Sequence, residues 1–142
     1  METTSLDLAA SLRLAAMRLA RRLRQRAEAG VTPSMLSAMS SIGRLGPITL
    51  SDLATAEQVQ PPSLSAIVGR LEQEGLVLRE SDPTDGRVAR VRLSPAGRRL
   101  MERSRSRKTA YLARRLEVLS DEERDTLRRA LPLIERLVED GA

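Results

Sequence analysis

Two places in the chain carry side chains whose type and spacing suit contact with a polyanion. The first is Asp85-Gly86-Arg87, an arginine two residues after a carboxylate, beside an Asp-Gly turn signal. At that spacing the carboxylate can pre-orient the guanidinium for entry into a minor groove, where arginine responds to groove width. The plainer alternative is a surface ion pair between the same two residues. The second place is Ser63, Ser65 and Arg70, set among Gln60, Pro62, Ala66, Gly69 and Gln73. Serine hydroxyls hydrogen-bond base edges or phosphates, and Arg70 is long enough for guanine or phosphate. Arg90 follows the first group on a basic face.

The same inventory excludes most catalysis. There is no histidine, no cysteine and a single lysine, Lys108. Most general-base and nucleophile arrangements therefore have no residues to build them. No glycine-rich phosphate loop and no metal-ligand spacing occurs, and the usual zinc sites have no ligands. The reading is a non-enzyme with no cofactor and no metal. Paired acids such as Glu122-Glu123, Glu72 and Glu74 read as helix-start and solvent-face charges.

Charge is distributed unevenly. Residues 76–108 hold ten basic and four acidic residues, net +6, whereas the remainder holds fourteen basic and fifteen acidic, net −1. A surplus confined to one stretch points to a polyanionic partner, most commonly nucleic acid. The 142 residues suit one domain with an aliphatic core, because Tyr111 is the only aromatic residue. The apolar run from Leu6 to Ala20 is interrupted by Asp7, Arg13 and Arg18, too charged for a signal sequence or a membrane span. A cytoplasmic protein with no membrane partner is expected.

The elements that must position these residues can be read from caps and periodicity. Leu8, Leu12, Leu19 and Leu23 recur at helical steps in a long first helix, 6–29, closed by Gly30. Thr32-Pro33 supplies an N-cap and a first-turn proline for a second helix to about Arg44, with Met35, Leu36, Met39 and Ile42 apolar. Thr49 opens a short third helix with Leu50, Leu53 and Ala54 inward. Pro61-Pro62 starts a fourth, 61–74, with Leu64, Ile67, Val68 and Leu71 as one apolar stripe and Gly75 as its stop.

A hairpin over 76–93 follows. Asp82-Pro83 and Asp85-Gly86 give the turn, and strict alternation puts Ala89, Val91 and Leu93 on one face and Arg90 and Arg92 on the other, with Arg87 beside the tip. Ser94-Pro95 launches a fifth helix to about Leu119. Ser120 with Glu123 forms a capping box for a sixth, which carries Leu127, Leu131, Ile134 and Val138 at 4-3-4 spacing. Pro132 should kink that helix or loosen one turn. The fold expected is mainly α with a small β-hairpin. Helices two to four with the hairpin form a winged helix-turn-helix over 32–99, and the segments 6–29 and 100–140 are left over.

The fourth helix has an unusual outward face. Opposite its apolar stripe stand Pro62, Ser65, Ala66, Gly69 and Gln73, small and uncharged, with Ser63 and Arg70 on one flank. An ordinary solvated face would carry charges. This one allows close approach to another surface, and a major groove about 12 Å wide accepts such a helix.

These residues resemble the MarR family of bacterial transcription regulators. Asp85-Gly86-Arg87 followed by Val91, Leu93, Ser94 and Gly97 is similar to the family's D-x-R wing running into L-T-x-x-G. Leu71-Glu72-Gln73-Glu74-Gly75-Leu76-Val77 is similar to its L-E-x-x-G-L-V helix ending. Gly86 stands where many members carry a second basic residue, and Ser94 replaces threonine. The resemblance implies a homodimer built from the first, fifth and sixth helices, with Leu12, Leu19, Leu127, Leu131, Ile134 and Val138 as candidate contacts. It implies a pseudo-palindromic double-stranded DNA operator, with the fourth helix in the major groove and Arg87 in the minor groove. Repression is the commoner behaviour in the family, and a small aromatic acid often releases the DNA. Met35, Met39 and Tyr111 are candidates to line such an effector pocket, against the plainer reading that they are core. Without histidine or cysteine, the metal-sensing and oxidant-sensing routes are closed. Two other classes remain as alternatives: a non-specific architectural DNA-binding protein and a winged-helix protein-docking module.

Overall fold

The computed structural model describes residues 4–27 and 30–139. In chain order the elements are α1 (Ser5–Arg24), α2 (Pro33–Leu45), β1 (Ile48–Thr49), α3 (Leu50–Glu57), α4 (Pro61–Gln73), β2 (Val77–Ser81), β3 (Ala89–Leu93), α5 (Pro95–Leu116) and α6 (Asp121–Val138). No helix among the described residues is long and apolar enough to cross a membrane.

The helix starts follow from caps. Thr32 Oγ1 accepts the Met35 amide at 3.2 Å and Thr49 Oγ1 accepts the Asp52 amide at 3.1 Å. Each satisfies an amide that the first helical turn leaves without a partner. Ser120 and Glu123 make the full reciprocal box, with the Glu123 amide on Ser120 Oγ at 3.1 Å and the Ser120 amide on Glu123 Oε1 at 2.9 Å. The hydrogen bonds from Ser120, its backbone amide first, hold the Glu123 carboxyl below its ordinary value.

Two helix ends differ from expectation. α1 stops at Arg24 rather than 29; residues 28 and 29 lie outside the described residues. α5 stops at Leu116, and the Arg124 guanidinium donates to the Leu116 and Leu119 carbonyls at 3.1 and 2.6 Å, satisfying acceptors that the helix end leaves open. α6 is helical on both sides of Pro132, whose nitrogen has no hydrogen to donate to the Arg128 carbonyl.

The sheet has one strand more than the hairpin. Ile48 and Thr49 pair antiparallel with Val91 and Arg90, giving the order β1-β3-β2. The hairpin itself pairs Val77 with Leu93 through to Ser81 with Ala89. β3 is thus the central strand. Its alternation holds for Val91 and Leu93, which are buried, and for the half-exposed Arg90 and Arg92. Arg87 lies before the strand, in the turn.

The chain divides into two compact units, residues up to Lys108 and residues from Thr109. The core lies in the first unit. Met35, Met39 and Ile42 of α2, Leu53 of α3, Leu64, Val68 and Leu71 of α4 and Val91 of β3 are all at most 2% exposed. Met35 and Met39, weighed as effector contacts, are therefore core side chains, and Tyr111 of α5 is half-buried in the second unit. The described residues of the second unit include no buried one.

Candidate nucleic-acid interface

α4 is presented as its sequence requires. Leu64, Val68 and Leu71 are buried, Ile67 is half-buried, and Pro62, Ser63, Ser65, Ala66, Arg70 and Gln73 are exposed. Gln60 is the N-cap and makes no side-chain cap bond. Two prolines at the first helical positions carry no N–H, so two of the usual unpartnered donors do not exist. Arg70 is 3.5 Å from Glu74, an exposed i,i+4 pair that leaves its guanidinium accessible. The helix stops where Gly75 takes φ +71°, a conformation in which a side chain would be strained.

Glu72 then ties the helix end to β2. Its Oε1 accepts Arg79 Nη2 at 2.6 Å and Nε at 3.1 Å. Ser94 Oγ donates to the Gly75 carbonyl at 2.6 Å, and the Ser94 amide donates to Leu76 O at 3.0 Å. Helix end, hairpin base and the start of α5 are thereby joined within a few residues.

The wing tip is built by two carboxylates. Asp82 accepts the Thr84 amide at 2.8 Å, the Thr84 hydroxyl at 2.7 Å and the Asp85 amide at 3.2 Å. Asp85 accepts the Arg87 amide at 3.0 Å and Arg87 Nε at 3.2 Å. The Arg87 side chain is 93% exposed, so the expected orienting contact exists and the guanidinium still projects. The Asp82 carboxyl is held well below the usual carboxylate range, chiefly by the Thr84 hydroxyl and amide and then by Arg90. Because the folded value is depressed, its contribution to stability is present above the ordinary value of 3.8 and is lost as pH falls toward the folded one. The Asp82 carboxylate is therefore ionised at neutral pH.

The basic face expected on the hairpin is largely neutralised. Arg92 pairs with Glu80, Arg79 with Glu72, and Arg90 Nε with Asp82 Oδ2 at 3.0 Å. Arg90, expected among the DNA-facing residues, is 40% exposed and pairs with Asp82 at the base of the tip. Cross-strand register creates the Arg92 and Arg90 pairs and the packing of the α4 end on β2 creates the Arg79 pair, and spacing alone did not reveal them.

A core of α2, α3 and α4, the last with a small uncharged outer face, and a two-stranded wing with a projecting arginine make a winged helix-turn-helix, the fold of DNA-binding transcription regulators. The comparisons with known proteins agree. The MarR family pattern matches residues 31–89. An HTH-type transcriptional regulator of Mycobacterium leprae is 40% identical over 135 residues, covering 94% of either chain. The HTH-type transcriptional repressor MdtR of Bacillus subtilis is 32% identical over 94 residues, 66% of this chain and 61% of that protein. Among solved structures, a transcriptional regulator of Pseudomonas aeruginosa is 37% identical with a TM-score of 0.84, over 96% of this chain and 98% of that one. The chain belongs to the MarR family of transcriptional regulators, and it is not an enzyme.

The exposed face of α4 makes a direct test. Ser65→Arg places a long charged side chain where close approach is needed, on a residue exposed in the fold. Thermal melting should be unchanged, while preference for a specific duplex should collapse toward the non-specific level, a loss of about 10³-fold or more. Retention of specific binding by this variant would remove α4 from the interface.

Proposed function

We propose that the chain represses transcription by binding a pseudo-palindromic double-stranded operator as a homodimer, with α4 in the major groove and Arg87 in the minor groove. The observation that carries this reading is the pairing of an uncharged, small-residue helix face with a fully projecting, carboxylate-oriented arginine. A non-specific architectural protein would present a broad unpaired basic surface, whereas here Arg79, Arg90 and Arg92 of the hairpin are 37–40% exposed and each pairs with an acid, and Arg87 at 93% is the hairpin arginine that projects.

Two apolar faces support the homodimer. In α1, Leu12 and Leu19 are 37% and 46% exposed; in α6, Leu127, Leu131, Ile134 and Val138 are 41–76% exposed. Apolar faces of this extent on helices with no buried residue favour cover by another chain, and a second copy is the economical one.

Release by a small aromatic acid finds support in an open groove of about 450 Å³ in the first unit, bordered by α2, β3 and α5. Ile42 and Met101 give it an apolar floor, Arg44, Arg98 and Arg105 stand on its walls, and no acidic residue lines it. An apolar floor with guanidinium walls suits a small carboxylate with an aromatic body. Met39 borders this groove; Met35 and Tyr111 do not.

Selection of bound sites from random duplex DNA tests the whole reading. The expected product is one motif repeated as two inverted half-sites spaced by about one helical turn, with recovery lowered when phenolic acids are present. Recovery of a single half-site would exclude the dimer. Recovery without sequence preference would favour the architectural alternative.

A further inference from the structure

We propose that Asp82 and Arg90 are the post on which the wing tip is set, with Arg90 a positioning residue and not a DNA contact; the proposal rests on the reading of the wing as the minor-groove probe. The geometry is a relay of two turns. Arg90 Nε, from the central strand, donates to Asp82 Oδ2 at 3.0 Å. The other oxygen of the same carboxylate gathers the Thr84 amide, the Thr84 hydroxyl and the Asp85 amide. Those bonds fix the backbone of Asp85, whose own carboxylate then holds Arg87 by its amide and its Nε. Two backbone bonds close the loop from below, the Asp82 amide to Val88 O at 2.8 Å and the Val88 amide to Asp85 O at 3.0 Å.

Exposure separates the two arginines. The Asp82 side chain is only 13% exposed and that of Arg90 40%, against 93% for Arg87. A pair shielded to that degree is screened less by salt than a tip charge. The Asp82 carboxylate already accepts four hydrogen bonds, so its geometry is over-determined, and the strain of reorienting it falls on the tip. A preset tip spares the ordering cost that a floppy arginine would meet on entering a groove.

The test uses the full chain and a labelled duplex recovered from the random-site selection, with binding measured by anisotropy between 50 and 200 mM salt. Asp82→Asn keeps an acceptor for the turn amides but removes the charge facing Arg90. Arg90→Gln removes the other partner. Each variant should bind about fivefold more weakly, and the double variant no more weakly than the worse single one, as expected for residues acting as a unit. The slope of log affinity against log salt should stay at the wild-type value for Arg90→Gln, because no phosphate contact is lost. Thr84→Ala, at the exposed tip and harmless to the fold, should also weaken binding with the slope unchanged. A slope lowered by about one in Arg90→Gln, or additive losses in the double variant, would make Arg90 a DNA contact and overturn the proposal. Wild-type affinity in all three single variants would overturn it as well. Arg87→Ala is run beside them: if it too binds normally, the wing reading itself fails, and the proposal with it.

Discussion

Arg87→Ala should weaken operator binding by about 1–3 kcal/mol, ten- to over a hundredfold, and reduce the salt slope by about one. Stability should not change, because the side chain is 93% exposed and its one ion pair is with the partly exposed Asp85. The size of the effect follows from what surrounds it. Arg79, Arg90 and Arg92 on the same hairpin are each engaged by an acid, and Gly86 beside Arg87 carries no charge. No neighbour is placed to take over the contact. Loss of the guanidinium also leaves the Asp85 carboxylate unpaired at a tip facing phosphates, which adds repulsion to the lost attraction. Arg87→Lys separates the two components. It keeps the charge, so the salt slope should be retained, but it loses the planar fork and the Nε bond to Asp85, so affinity should fall partway. The check is a titration of the selected duplex at several salt concentrations. Unchanged affinity in Arg87→Ala would mean that the wing does not reach DNA.

How much of this was legible in the sequence depends on the range of the interaction. Caps are local, and Thr32-Pro33, Thr49 with Asp52 and Ser120 with Glu123 all mark helix starts where the structure has them. The Asp-Gly turn and the alternation of Val91 and Leu93 located β3 for the same reason. β1 was not legible. Two residues cannot display alternation, and Ile48 and Thr49 are a strand only because β3 lies beside them. The pairing of the hairpin arginines was hidden in the same way. Asp82 and Arg90 are eight residues apart and Glu80 and Arg92 twelve, so register alone decides that they meet. Asp82 read simply as a turn starter, although its place two residues before Thr84 and three before Asp85 was a usable signal for an Asx turn. Met35 shows the opposite case, and Met39, also buried, still borders the groove between α2, β3 and α5. Methionine's adaptability suggested a ligand, while their position on the apolar side of α2 already placed them in the core. The arginine-walled groove lies beside that core, and its residues come from α2, β3 and α5, which no single stretch of sequence brings together.

The largest expected effect on stability is at Gly97. A Cβ built there would sit 2.1 Å from the Leu76 carbonyl oxygen and 3.1 Å from its carbon, an overlap with backbone that no rotamer change relieves. Leu76 cannot readily retreat. Its amide donates to Leu71 O at 2.9 Å, and its oxygen accepts the Ser94 amide at 3.0 Å. Nor can the first turn of α5, because the Gly97 amide donates to Ser94 Oγ at 3.0 Å while that hydroxyl donates to Gly75 O. Serine at 94 and glycine three residues later are thus two halves of one device. The hydroxyl bridges the helix start to the hairpin base, and the missing side chain lets the two backbones approach. Gly97→Ala must break that seam or push α5 away, at an expected cost of about 3 kcal/mol, seen as a fall of about 10 °C in melting temperature. Helix propensity alone gives the opposite sign, since alanine is favoured over glycine inside a helix by about 1 kcal/mol. Gly69→Ala supplies the control for that term. A Cβ on Gly69 of α4 meets nothing within 4 Å, so this variant should melt at or slightly above wild type. The Gly97 variant, where it remains folded, should also bind the selected duplex more weakly, because the hairpin base that carries the tip is no longer fixed to the end of α4. A Gly97→Ala protein that melts with Gly69→Ala, rather than well below it, would show that the seam between α5 and the hairpin is looser than the close approach of Gly97 and Leu76 requires.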